Sequence, residues 1–287
     1  MKVDADHVPT SPATHKMPMV SIVMTAYNAE RFIKASVAAA LAQDYPNFEL
    51  VVVDDGSTDR TAAICESIDD PRLRFYRAAR IGRCRALNKA VEMARGEYIA
   101  NNDADDLSFA DRLSYVMNFV SSHTDLALVG TPAVPTPIFV EHVPVEYTPL
   151  ARSSGEVAEN VVWPSRTTMY RRNLFNHSTV VYPKAVWRLM GGYDEDLDVC
   201  EDYDFYLRAM QFGRAAILPK PMVLWLTNSG GHFRKKSMEE YLSAMNLIKK
   251  RAYHLLNLPV WMRPYHGIWA QVYKVLVLYR GWPAMGP

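Results

Sequence analysis

"VSIVMTAYNAERFIKASVAAALAQDYPNFELVVVDDGSTD", residues 20–59, decides the fold. Residues 19–25 form a nearly continuous apolar run with β-branched members, the pattern of a strand covered on both faces. The segment 28–43 sets Phe32, Ile33, Ser36, Val37, Ala40 and Leu41 on one helical face, with Asn28 available to cap it. "FELVVVDD" (48–55) is a second buried strand that ends in acids and turns at Gly56 toward a helix over "RTAAICESI". The pattern then repeats: a strand at 73–77, a helix at 83–95 with Gly96 as its C′ stop, and strands at 97–101 and 126–130. An amphipathic helix, "DRLSYVMNFVSS", lies between the last two. Such alternation predicts βαβ units: an α/β, Rossmann-like, mostly parallel sheet flanked by helices. Ligands of such sheets lie beyond the carboxyl ends of the strands. Three polar strand ends (25–28, 54–59 and 103–106) fall at that edge.

The chain has 287 residues, 49% of them hydrophobic, enough for one large domain or a domain with an appendage. Its 32 basic and 31 acidic residues leave a net charge of +1, so no global field gathers nucleic acid, and an anionic ligand must be held locally. Three scattered cysteines (Cys65, Cys84, Cys200) make no disulfide framework and suit a reducing, cytoplasmic setting. The opening 17 residues lack the apolar region of a secretory signal and read as a mobile tail. No run is long and apolar enough for a spanning helix.

From 131 to 165 the periodicity dissolves into Pro-rich sequence, a long loop of the kind that is functional or mobile. Order resumes with "HSTVVYP" (177–183), a short helix ended by Gly191 and Gly192, and a helix over "EDYDFYLRAM" with acids in its first turn, the favourable end of the dipole. A strand over "AAILPKPMVLWLT" follows. A final long helix starts at a Ser237/Glu240 capping box and buries Met238, Tyr241, Leu242, Met245 and Ile248.

"IANNDADDLS" (99–108) crowds Asp103, Asp105 and Asp106 at the end of a strand. Carboxylates this close repel unless compensated. Asp103 and Asp105, two residues apart, can turn toward one hard cation such as Mg²⁺ or Mn²⁺, with Asp106 bracing the turn. The plain alternative is a solvated Asx turn. Asp54 and Asp55 can contact a nucleobase or ribose, whereas Ser57 and Asp59 suit the start of the next helix. In "CEDYD" (200–204), Asp202 can act as a general base if the fold brings it to the crevice. Otherwise these acids serve the dipole of their own helix.

Three motifs in order, "VSIVMTAYNAERFIKASVAAALAQDYPNFELVVVDDGSTDRT", "GRCRALNKAVEMARGEYIANNDADD" and "GGYDEDLDVCEDYDFYLRAMQFG", resemble the family-2 nucleotide-sugar glycosyltransferases of the GT-A fold, from about Val20 to about Thr227. The resemblance implies an inverting, metal-dependent (Mn²⁺ or Mg²⁺) transfer from a nucleoside-diphosphate sugar, by preference a UDP-sugar, to a glycan or lipid-linked acceptor. It implies that Thr25, Tyr27 and Asn28 line the nucleotide pocket and that Asp55, with Asp54 beside it, contacts the base. Asp103 and Asp105 become the D-x-D pair, and Asp202, with Glu201 next to it, the catalytic base. It also divides the chain into a catalytic domain at 18–230, with a nucleotide half (18–130) and an acceptor half (131–230), and a C-terminal helical extension at 231–287.

Some residues depart from the family pattern. Asn101 and Asn102 stand where relatives often carry Arg and an apolar residue. The metal-joining His of relatives is matched only by His232, in "LTNSGGHFRKK", where Arg234, Lys235 and Lys236 could meet the diphosphate. "QFGRA" (211–215) lacks the Trp of the processive Q-x-x-R-W element, which implies single-sugar transfer. No G-x-G-x-x-G marks a dehydrogenase, and "TAYNAERF" lacks the glycines of a pyrophosphorylase loop. A non-catalytic nucleotide-sugar-binding module or a nucleotidyltransferase is the alternative reading. The C-terminal "LPVWMRPYHGIWAQVYKVLVLYRGW" suits either peripheral contact with the inner face of a membrane or packing on the catalytic domain.

Overall fold

The apolar run after Pro18 becomes strand β1, Val20–Ala26, and "FELVVVDD" becomes β2, Phe48–Asp55; every residue of both is buried. They pair in parallel from Val20↔Phe48 to Ala26↔Asp54. The computed structural model describes residues 17–137, 160–227, 236–264 and 268. β3 (Leu73–Ala78) joins the outer side of β2, and β4 (Tyr98–Asn101) joins the other side of β1, all parallel. The sheet continues through β8 (Val181–Pro183), antiparallel to both neighbours, to β6 (Leu126–Gly130) and β9 (Arg214–Ile217), in the order β3-β2-β1-β4-β8-β6-β9.

Alternate side chains of a strand leave opposite faces, and both faces here are apolar. Ile22, Met24, Leu50 and Val52 pack with α1 (Ile33–Leu41), α2 (Thr61–Glu66) and α4 (Arg112–Ser121). Val23, Val51 and Val53 face the other way. They pack with α3 (Arg83–Met93), α6 (Lys184–Met190), α7 (Glu201–Ala209) and α8 (Met238–Leu255). A short helix, α5 (Arg166–Arg171), sits against α7 and α8. The capping box forms as expected, with Ser237 accepting from Glu240 N–H and the Glu240 carboxylate accepting from Ser237 N–H at 2.8 Å.

Three local expectations change. "AAILPKPMVLWLT" is two strands, β9 and β10 (Val223–Leu226), in different sheets. Pro219 and Pro221 cannot donate to a ladder and break the run. β10 forms a second, three-stranded sheet with β5 (Leu107–Ser108) and β7 (Ala133–Thr136). Asn28 does not cap α1, whose N-cap is Phe32 without a side-chain bond. Gly96 is not a left-handed stop. Its amide donates to Ser21 Oγ at 2.8 Å, and a Cβ there would stand 2.5 Å from Ser21 N, so close approach to β1 is what requires glycine. Among the described residues no helix is long and apolar enough to cross a membrane.

Candidate active site

Because β2, β1 and β4 are parallel neighbours, their polar ends open onto one edge. At β2 the two acids part company. Asp54 is fully buried, accepts the Ser57 N–H at 3.2 Å and the Ser57 hydroxyl, and has Arg77 Nε at 3.8 Å. Expected beside the nucleobase, it instead holds its own turn, because its side chain points into the protein. Asp55, on the other face, accepts the amides of Ile81 (2.7 Å) and Gly82 (3.1 Å) and the guanidinium of Arg80. Arg80 lies 3.6 Å over the ring of Tyr27, which is 40% exposed, so one guanidinium links Tyr27 to the buried Asp55. Thr25 is buried at the end of β1. Asn28, at φ 51°, accepts the Thr58 N–H at 2.8 Å and ties the β1 turn to the β2 turn.

At β4 the asparagines explain themselves. Asn101 Nδ2 donates to Tyr193 Oη at 3.1 Å. Asn102 Oδ1 accepts from Ser108 Oγ at 2.6 Å while its amide donates to the Asp103 carbonyl. Beneath them the buried Arg112 donates to Ser108 Oγ (2.9 Å) and the Asn101 carbonyl (2.8 Å). Burial pushes this guanidinium down to about 9, with Asp106 pulling the other way. Asp106 braces the turn as expected, accepting from Ser178 Oγ and from Leu226 N–H at 3.0 Å. Burial, then Asp105 and Asp103, raise its carboxyl well above the usual range.

Asp103 faces the crevice with Asp105 partly exposed close by. Asp103 Oδ1 takes Arg83 Nη2 at 2.8 Å and lies 3.1 Å from His177 Nδ1. Burial opposes its charge, but Arg83 and His177 prevail and hold the carboxyl well below its ordinary value. Arg83 also donates through Nε to Glu201, in the first turn of α7. Burial again opposes, and Arg83 again wins, lowering the Glu201 carboxyl. The next residue, Asp202, accepts Asn173 Nδ2 at 3.2 Å on Oδ2 and its neighbour Tyr203 N–H at 2.7 Å on Oδ1. Burial and the Glu201 charge push Asp202 up to about 6, against His177 and Arg83. Ahead of this pair Cys200 sits at φ 59°, a left-handed backbone that costs a non-glycine residue about 1–2 kcal/mol and re-aims the chain into the helix.

The structure thus brings Asp103, Glu201 and Asp202 together, while His232 lies outside the described residues. Sequence reasoning missed Arg83 and His177. The motif holding Arg83 was visible, but its bridging role depends on the fold bringing the first residue of α3 to both Asp103, after β4, and Glu201, at the start of α7. His177 Nδ1 meets Asp103, and its Nε2 is buried and meets no partner among the described residues, a placement that no spacing reveals.

No cluster of three or more His, Cys, Asp or Glu that could hold a metal occurs among the described residues. Among the described residues, both hydrogen bonds to the Asp103 carboxylate fall on Oδ1, so Oδ2 can offer oxygen to a cation, and the Asp105 carboxylate is close by. That donor set fits Mg²⁺ or Mn²⁺ when a diphosphate supplies further oxygens.

The chain belongs to glycosyl transferase family 2, whose model matches residues 21–190. EpsE of Bacillus subtilis is 31% identical over 202 residues, 68% of each chain. Chondroitin synthase of Escherichia coli is 29% identical over 202 residues, which is 69% of this chain but only 27% of that enzyme. Staphylococcus aureus TarS 1–349 in complex with UDP-GlcNAc superposes with a TM-score of 0.65 at 22% identity, over 83% of this chain and 70% of that one. The Pyrobaculum calidifontis mannosyltransferase PcManGT, in complex with GDP-Man and Mn²⁺, superposes with a TM-score of 0.59 at 20% identity, over 94% and 84%. The likeness to these two structures is one of fold, the GT-A arrangement of sheet and helices.

Proposed function

We propose that this chain moves one sugar from a nucleoside-diphosphate sugar, by preference a UDP-sugar, to a hydroxyl of a glycan or lipid-linked acceptor, with inversion. The observation that carries this reading is Arg83 joining Asp103 and Glu201, because it sets the acid that would hold a diphosphate-bound cation within one side chain's reach of the residue next to Asp202, the proton acceptor. Tyr27 and Asp55 hold the base, and Arg83 offers the diphosphate a fixed cation. A divalent ion held by Asp103 and Asp105 would supply Lewis-acid neutralisation of the leaving diphosphate. Asp202, largely ionised above its raised pKa, accepts the acceptor's proton as its oxygen attacks the anomeric carbon.

Because the described residues contribute few metal ligands, nucleotide and metal should bind together. In a thermal-shift screen Mn²⁺ alone leaves the melting temperature near its starting value. UDP with Mn²⁺ at a hundred times Kd adds about 2.7 kcal/mol of apparent stability. An equal shift from Mn²⁺ alone would contradict the shared site, and a UDP shift without transfer on any donor would favour a binding module.

We also propose peripheral membrane contact near the acceptor. Val260 (80% exposed) and Trp261 (63% exposed) project beyond α8. Burying each such side chain is worth about 1.5–3 kcal/mol, so Val260→Asp with Trp261→Asp weakens co-sedimentation with phosphatidylglycerol vesicles by about tenfold or more. Unchanged co-sedimentation would refute the contact.

A further inference from the structure

Lys249 interrupts the apolar stripe of α8. Its side chain is fully buried, and Nζ donates to the Tyr170 carbonyl at 2.6 Å, the Arg171 carbonyl at 3.5 Å and Tyr203 Oη at 3.3 Å. The rings of Tyr170 and Tyr203 flank it, with centroids at 5.1 and 5.3 Å. Tyr203 Oη passes the contact on, donating to the carbonyls of Met169 (2.7 Å) and Tyr170 (3.0 Å). Burial pushes the ammonium down to about 7, a cost an aliphatic side chain in the same stripe would avoid. What lysine adds is three directed donors.

Those donors land on either side of Asp202. Tyr170 and Arg171 end α5, where helix carbonyls lack intrahelical partners, so the ammonium caps that end. Two residues later Asn173 donates to Asp202 Oδ2. Tyr203, the other residue Lys249 holds, follows Asp202 and donates its backbone N–H to Oδ1. Both hydrogen bonds to the Asp202 carboxylate therefore come from segments tied to one buried lysine on a helix beyond the matched residues 21–190.

We propose that Lys249 is a positioning residue: through the end of α5 and Tyr203 it fixes Asn173 and the Asp202 carboxylate against the acceptor hydroxyl, making α8 part of the catalytic apparatus. This rests on the reading of Asp202 as the base. A base displaced by about 1 Å loses rate without loosening the nucleotide.

The test compares Lys249→Met, Asn173→Ala, their double variant and Asp202→Asn in the full chain, by transfer kinetics, UDP titration and thermal melting. Lys249→Met, close to isosteric, is expected to lower kcat by about 10–100-fold, with donor KM and UDP Kd within about twofold. The double variant is expected to lose less than the product of the single losses, because the two residues act along one path. If Asp202→Asn is inactive while Lys249→Met keeps wild-type kcat, Lys249 does not position the base. If Asp202→Asn transfers at the wild-type rate, the reading of the base fails and this proposal with it. A parallel fall in kcat, UDP affinity and melting temperature would reduce Lys249 to packing. Should Lys249→Met not fold, Tyr203→Phe removes only the hydroxyl that Lys249 contacts. The same kcat-only loss supports the proposal, and an unchanged kcat overturns it.

Discussion

Asp202→Asn lowers the rate of sugar transfer by about 10²–10⁴-fold, the usual contribution of a positioned general base, or about 3–5 kcal/mol of transition-state stabilisation. UDP affinity stays near wild type, because the amide keeps the shape of the side chain and its place at the start of α7. Wild-type kcat also carries a signature of this acid. Burial and the neighbouring Glu201 push Asp202 up to about 6, and only the ionised form accepts a proton, so the rate falls as pH drops through about 6. Stopped assays over a pH series in one buffer ionic strength measure both. A transfer rate that stays flat from pH 7.5 to 5, or an Asn variant as fast as wild type, removes Asp202 from the reaction.

Arg83→Met carries the largest expected loss of stability. The guanidinium meets Asp103 and Glu201 at once, with its own side chain 24% exposed. Removing it leaves two carboxylates in a half-closed site without their common counterion, and breaking a buried pair costs about 3–5 kcal/mol. The partial exposure points to about 3. Chemical denaturation at pH 7 reads the change. The acid side adds a second readout. Folding lowers the pKa of both Asp103 and Glu201, so the stability they contribute is full above their unfolded values, near 4, and is lost as pH falls toward their folded ones. Without Arg83 that lowering shrinks, and the variant's stability changes less between pH 5 and 3 than the wild type's does. A variant as stable as wild type, with the same acid slope, would mean that the bridge contributes nothing.

What could be read from the sequence follows from what is local. β1, β2 and α1 were legible because parallel strands buried on both faces leave an unbroken apolar run, and a 3.6-residue stripe follows directly. The acids of α7 announced themselves by their place in a first turn. Other features depend on tertiary placement. Asp54 and Asp55 are adjacent and leave opposite faces of a strand that is buried on both, and nothing in "VVVDDG" says which of them meets the Ser57 turn and which meets Arg80. β8 contributes three residues to the middle of the sheet, too short a run to signal its antiparallel place. Lys249 occupies a core position in the helical stripe, where sequence alone suggests only a polar intrusion. The prolines at 219 and 221 mark the break between β9 and β10, a sign that the reading of one strand over that apolar run passed over.

The location of β8 also bears on how the polypeptide is made. β6 is synthesised about fifty residues before β8, yet it reaches β4 only through it, in the order β4-β8-β6. Until residues 181–183 are in place, the β4 edge has no partner on that side and nothing joins β6 to β4. Open rims of this kind invite pairing with other chains. The short segment 181–183 closes that rim by acting as a keystone. The same segment follows directly from His177 and Ser178, which meet Asp103 and Asp106, so one short stretch of chain both seals the sheet and completes the acidic pocket.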